Sequence, residues 1–149
     1  MIYLERLQVF DIEQTLDLAE EFNKVYGVSD KFNRKKLRSI LESSLLYTNT
    51  YYCSVLKTEN KVVGLFVGVC FEGPYFDDRI ASELGWYVQP QFRGITSIRM
   101  LKDFESWSKH EAKADAVTMA YTEKMSDLSK LYAVLEYEVV EHTYKKSLK

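Results

Sequence analysis

The chain has 149 residues, 46% hydrophobic and 28% charged, with 20 Lys+Arg against 22 Asp+Glu and a formal net charge of -2. One globular domain over 1–149 is expected, because at this length roughly two-thirds of the unfolded surface can be buried without a metal or disulfide staple. The composition excludes wholesale disorder and low-complexity or collagen-like chains. The near-neutral charge argues against a dedicated nucleic-acid or anionic-membrane binder, whose affinity comes from clustered Lys and Arg.

Cys53 and Cys70 lie in strand-forming runs and are too few for a disulfide framework. They read as small buried hydrophobes and fit a reducing cytoplasm. The N-terminus lacks the basic segment and long apolar core of a signal peptide, and the longest apolar run, residues 62–71, is half a membrane span. A soluble, unprocessed, cytoplasmic protein is expected.

Residues 3–10 are rich in strand formers, and Asp11 then stands where a helix cap would, with Gln14 three residues on to return the capping bond. Leu18, Ala19, Phe22, Val25 and Tyr26 share one helix face, and Gly27 can take the left-handed turn that ends it. Asn33 can cap a second helix with Leu37, Ile40, Leu41 and Leu45 on one side. Arg34, Lys35, Lys36 and Arg38 give that helix a basic face, read as a solvated surface in preference to a partner site.

Residues 51–56 and 62–71 form a predicted hairpin across the polar stretch 57–61. After a loop over 72–79, an extended segment covers 81–88 and stops at Pro90, which cannot donate to a continuing ladder. Ile95, Ile98, Leu101, Phe104 and Trp107 recur every three residues and predict a helix over 94–110. Residues 114–120 are short enough for a buried strand. Ser126 or Asp127 can cap a last helix carrying Leu128, Leu131, Tyr132 and Leu135, and 137–144 is again strand-like. The order β-α-α-β-β-β-α-β-α-β implies one α/β domain with a mixed sheet and helices on both faces.

The stretch 84–97 is the most informative: a strand, a turn with one glycine, then the first turn of an amphipathic helix. The first N–H groups of a helix have no internal acceptors and its dipole adds partial positive charge there, so Arg93, Gly94, Ile95, Thr96 and Ser97 can present amides to a pyrophosphate. Gly94 lets phosphates approach the backbone closely. The Gly-Lys-Ser/Thr ending of a P-loop and the three glycines of a dinucleotide fingerprint are both missing.

Val88-Gln89-Pro90 followed by Gln91-Phe92-Arg93-Gly94-Ile95-Thr96 resembles the acetyl-CoA motif of the GCN5-related N-acetyltransferase (GNAT) family, Gln/Arg-x-x-Gly-x-Gly/Ala after a strand ending in Val-x-Pro. The resemblance spans most of the chain: 60–64 looks like the family's second hairpin, and 131–137 like its late Leu-Tyr-x-x-x-Gly-Phe segment. Thr96 replaces the small Gly or Ala, and Glu136 replaces the helix-ending glycine. The implied fold is a mixed, mostly antiparallel sheet of six to seven strands flanked by helices on both faces.

The resemblance implies an N-acetyltransferase that takes acetyl-CoA as cosubstrate. Its pantetheine arm would bond the backbone of Trp86, Tyr87 and Val88 where two parallel strands splay apart, and a primary amine would attack the thioester directly in a ternary complex. Tyr132 falls at the position of the family's thiolate-protonating tyrosine, and its phenol stays protonated at neutral pH. It equally fits the apolar face of its helix. Glu83, on the strand before the turn, is the candidate general base; the alternative is an ordinary solvent-facing or ion-paired carboxylate.

The acceptor, a small molecule or a protein amine, is not encoded in fold or cofactor motif. Tyr75, Phe76, Asp77 and Asp78 would either wall an acceptor pocket and attract a cationic amine or form a plain polar turn. Cys53, Cys70, His110 and His142 have no ligand or nucleophile–base spacing, so no metal is expected. No nucleic-acid or membrane partner is expected either, while the resemblance implies pairing into a homodimer. The substitutions Thr96 and Glu136 keep a rival open: a non-catalytic binding or assembly protein on the same fold, with a degenerate CoA groove.

Overall fold

The computed structural model describes all of residues 1–149 except Glu123 and Ser126. The elements are β1 (Ile2–Arg6), a 3-10 turn (Val9–Asp11), α1 (Ile12–Tyr26), α2 (Arg34–Leu46), β2 (Tyr51–Thr58), β3 (Lys61–Glu72) and β4 (Arg79–Val88). A second 3-10 turn (Pro90–Phe92), α3 (Ile95–His110), β5 (Ala116–Thr118) and α4 (Ser129–Val134) follow. The five strands lie in sequence order; β1 to β4 are antiparallel and β5 runs parallel to β4.

Strand alternation divides the core in two. Tyr52, Leu56, Phe66, Cys70 and Val88 meet Met100, Leu101, Phe104 and Trp107 of α3 on one face. Cys53, Val55, Leu65, Val67 and Tyr87 meet Leu16 of α1 and Leu41 of α2 on the other. The mixed sheet with helices on both faces is therefore as expected, and both cysteines are buried, one in each core. Among the described residues no helix is long and apolar enough to cross a membrane.

Two local expectations hold at the atomic level. Asn33 Oδ1 accepts from the Lys36 amide at 3.0 Å and caps α2, and Gly27 closes α1 in the left-handed conformation at φ 58°. Others are corrected. Asp11 makes no side-chain cap on α1, because its buried carboxylate is taken by Lys57 Nζ at 2.5 Å and by the Gln8 amide at 2.9 Å. Gln14 instead clamps the β2–β3 turn, donating to Asn60 O at 3.1 Å and accepting from the Val62 amide at 2.9 Å. The basic face of α2 is not simply solvated: Arg34 pairs with Glu13, Asp17 and Glu20 of α1, and Arg38 with Glu13.

Among the described residues the sheet has five strands, not six to seven. Residues 137–144 form no strand, since the Tyr137 amide turns back to Tyr132 O at 2.8 Å and Val139, Val140 and Tyr144 stay exposed. Strand propensity is realised only against a partner edge, and this segment lies along none. The expected buried strand over 114–120 shrinks to the three residues of β5, whose Ala116 and Thr118 are exposed. Ser126, one candidate cap of α4, lies outside the described residues; the other, Asp127, accepts from the Ser129 amide at 2.9 Å.

Candidate functional site

Two irregularities of β4 shape the site. The first is a bulge: Val67 pairs with Gly85 and Gly68 with Glu83, leaving Leu84 unmatched. One extra residue inverts the alternation of side chains, so Ala81 and Glu83 share the α3 face with Trp86 and Val88. The second is a splay. Pairing of β4 with β5 ends at Ser82 and Thr118, and among the described residues the edge of β4 beyond it has no strand partner.

A cavity of about 220 Å³ opens on that free edge. Trp86, Tyr87 and Val88 form one side, and Arg93, Gly94 and Ser97 form the end. Tyr26 of α1 and the apolar side chains of Met125, Leu128 and Leu131 complete the wall. The last four were not singled out as site residues in the sequence; Tyr26, Leu128 and Leu131 were visible only as apolar positions on predicted helix faces.

At the turn, Gly94 has φ 149° and ψ -144°, a combination open only to glycine, and nothing lies within 4 Å of where a Cβ would stand. The Arg93 amide is bonded to Pro90 O at 3.3 Å and the Ser97 amide to Gly94 O at 3.0 Å. Ser97 Oγ accepts from the Gly94 amide at 3.4 Å. Among the described residues the amides of Ile95 and Thr96, in the first turn of α3, have no partner in the chain and are the ones left for an anion. Arg93 sends Nε to Val88 O at 2.8 Å and an Nη to the Tyr26 hydroxyl at 3.0 Å.

α4 contributes Tyr132 to the core on the α3 side of the sheet. Its ring lies 6.2 Å from that of Tyr121 and 5.7 Å from that of Tyr137, and its hydroxyl donates to Ala120 O at 2.9 Å. Burial, and next the charge of Glu83, hold its phenol above the ordinary value of 10, so it keeps its proton at neutral pH. Burial alone lifts the Glu83 carboxyl from 4.5 to about 7. Tyr132 and Glu83, far apart in the chain, are thus near enough for the charge of one to act on the other.

The loop holding Tyr75, Phe76, Asp77 and Asp78 sits at the end of β4 remote from Gly94, with both rings exposed. Burial pushes the Cys53 and Cys70 thiols up. Among the described residues no three His, Cys, Asp or Glu side chains gather into a group that could hold a metal.

No protein-family model matches the sequence, and no curated protein matches it. Solved structures do match. A predicted acetyltransferase from Clostridium acetobutylicum, solved with acetyl-CoA, superposes with a TM-score of 0.79 at 14% identity, over 99% of this chain and 97% of that one. Glucosamine-6-phosphate N-acetyltransferase from Arabidopsis thaliana gives 0.75 at 11% identity, over 100% and 99%. A GNAT family acetyltransferase from Staphylococcus aureus gives 0.68 at 20% identity, over 99% and 98%. The splayed β4, the glycine turn and the helix that follows it lie within a GNAT fold.

Proposed function

We propose that this chain is an acetyl-CoA-dependent N-acetyltransferase that moves an acetyl group to a primary amine, of a small molecule or a protein, by direct attack in a ternary complex. The observation that carries the reading is a cavity bounded by the free edge of β4, the Gly94 turn and the start of α3, with Glu83 on the α3 face of the same strand and Tyr132 in the core on that side. The acetyltransferase names of the similar folds support it.

Each part of acetyl-CoA has a matching surface. The amides of Ile95 and Thr96, the dipole of α3 and the Arg93 guanidinium suit the diphosphate, and Gly94 leaves room for it. The edge of β4 that faces away from β3 at Trp86, Tyr87 and Val88, where Val88 O already accepts from Arg93, suits the amides of the pantetheine arm. Met125, Leu128 and Leu131 cover its apolar groups.

Glu83, ionising near neutrality, takes a proton from the acceptor ammonium directly or through water. The freed nitrogen attacks the thioester carbonyl; the C–N bond forms, the C–S bond breaks, Tyr132 gives its phenolic proton to the departing thiolate, and the nitrogen sheds its second proton to solvent as the amide forms. Solvent restores both groups. Tyr132 must first leave Ala120 O.

That engaged hydroxyl, together with Glu136 in place of the helix-ending glycine, favours a second reading: a binding or assembly protein whose groove no longer serves catalysis. Calorimetric titration with acetyl-CoA, with dephospho-CoA and NAD as comparison ligands, separates the two. Saturable binding of acetyl-CoA supports the enzyme, and screening of amines follows. No binding at millimolar ligand overturns the enzyme and leaves the second reading.

A further inference from the structure

The Gly94 turn is tied to a helix far from it in sequence. Glu21, in the second half of α1, accepts from the Tyr87 hydroxyl at 3.1 Å and from Gln89 Nε2 at 3.2 Å. Tyr87 is packed by Phe22 at 5.2 Å and Tyr26 at 6.1 Å between ring centroids, and the Arg93 guanidinium lies 5.8 Å from the centre of its ring. Tyr26 in turn accepts from Arg93. Two successive turns of α1 therefore hold the aromatic plate, the residue after β4 and the arginine at the mouth of the cavity.

A carboxylate near an anion groove is unfavourable by Coulomb's law. Its presence calls for a compensating role, and the bonds define one. A phenol that donates to a carboxylate has a more electron-rich ring, which strengthens the attraction of a guanidinium. Burial and this hydrogen bond push the Tyr87 phenol up to about 12, so it remains a donor at neutral pH.

We propose that Glu21 is a positioning residue of the donor groove: through Tyr87 and Gln89 it orders Arg93, so that the guanidinium meets the diphosphate already in place. The proposal rests on the acyl-CoA reading above. Ordering one long side chain in advance is worth up to about tenfold in affinity.

The test is calorimetric titration of acetyl-CoA into the wild-type protein, Glu21→Ala, Glu21→Gln, Arg93→Ala and the Glu21→Ala/Arg93→Ala double variant, with thermal unfolding of each. Glu21→Ala is expected to bind about tenfold more weakly, although loss of a nearby negative charge would by itself tighten binding. Glu21→Gln, which still accepts from Tyr87, stays within about threefold of wild type. In the Arg93→Ala background the Glu21→Ala change adds no further loss. In turnover the KM for acetyl-CoA rises while kcat holds.

Tighter or unchanged binding by Glu21→Ala, or an equal loss with and without Arg93, overturns the proposal while the acyl-CoA reading stands. Failure of the wild-type protein to bind overturns both.

Discussion

Replacing Glu83 by glutamine should make the protein more stable and less active, and the stability gain should depend on pH. The carboxyl is lifted from 4.5 to about 7 by burial, and among the described residues no cation or hydrogen bond offsets it. Each pH unit of that lift corresponds to 1.36 kcal/mol, so ionising the group in the folded protein costs about 3 kcal/mol, or about 2 after allowing for the part that still meets water.

Below pH 4.5 the folded and unfolded chains both hold the proton and the penalty is absent. Between 4.5 and 7 the unfolded chain ionises first, so wild-type stability falls as pH rises, and above 7 the whole penalty applies. Glutamine keeps the shape and removes the titration. Its melting temperature should match wild type within about 2 °C at pH 4.5 and exceed it by roughly 6 °C at pH 8. Thermal or urea unfolding at both pH values gives the comparison. An equal gain at the two pH values, or none at pH 8, would refute the burial argument. In parallel, kcat/KM of the wild type should climb between pH 6 and 8, and Glu83→Gln should lose about a hundredfold or more in turnover.

Tyr132→Phe removes the proposed acid and the bond to Ala120 O; turnover should fall about ten- to a hundredfold, with unchanged acetyl-CoA affinity and a stability loss of about 1 kcal/mol. Unchanged turnover would release Tyr132 from its role. Gly94→Ala forces a side chain into φ 149°; stability should drop by about 1–3 kcal/mol and acetyl-CoA binding at least about tenfold, as read by unfolding and calorimetry. Glu136 sits at φ 66° at the end of α4; Glu136→Gly should relieve that strain for a net gain of about 0.5–1 kcal/mol and raise the melting temperature by roughly 2 °C, and a lower one would mean that the Glu136 side chain makes an unrecognised contribution.

The sequence by itself determined the succession of helices and strands as far as α4, the Asn33 cap, the Gly27 helix end and the glycine turn at 94. These follow from residue spacing and from backbone angles that one residue type allows, and both are local. Tertiary structure decided the rest. Glu83 shares a face with Trp86 because pairing with β3 expels Leu84 from register, and Tyr87 finds Glu21, 66 residues away, because α1 packs across the sheet. Asp11 serves Lys57 in place of the helix cap that its neighbours predicted, since a buried ammonium has the stronger claim on a buried carboxylate. The strand-like segment 137–144 stays out of the sheet because strand propensity needs an edge to pair with, and which edge the chain meets is settled by the path of all that precedes it.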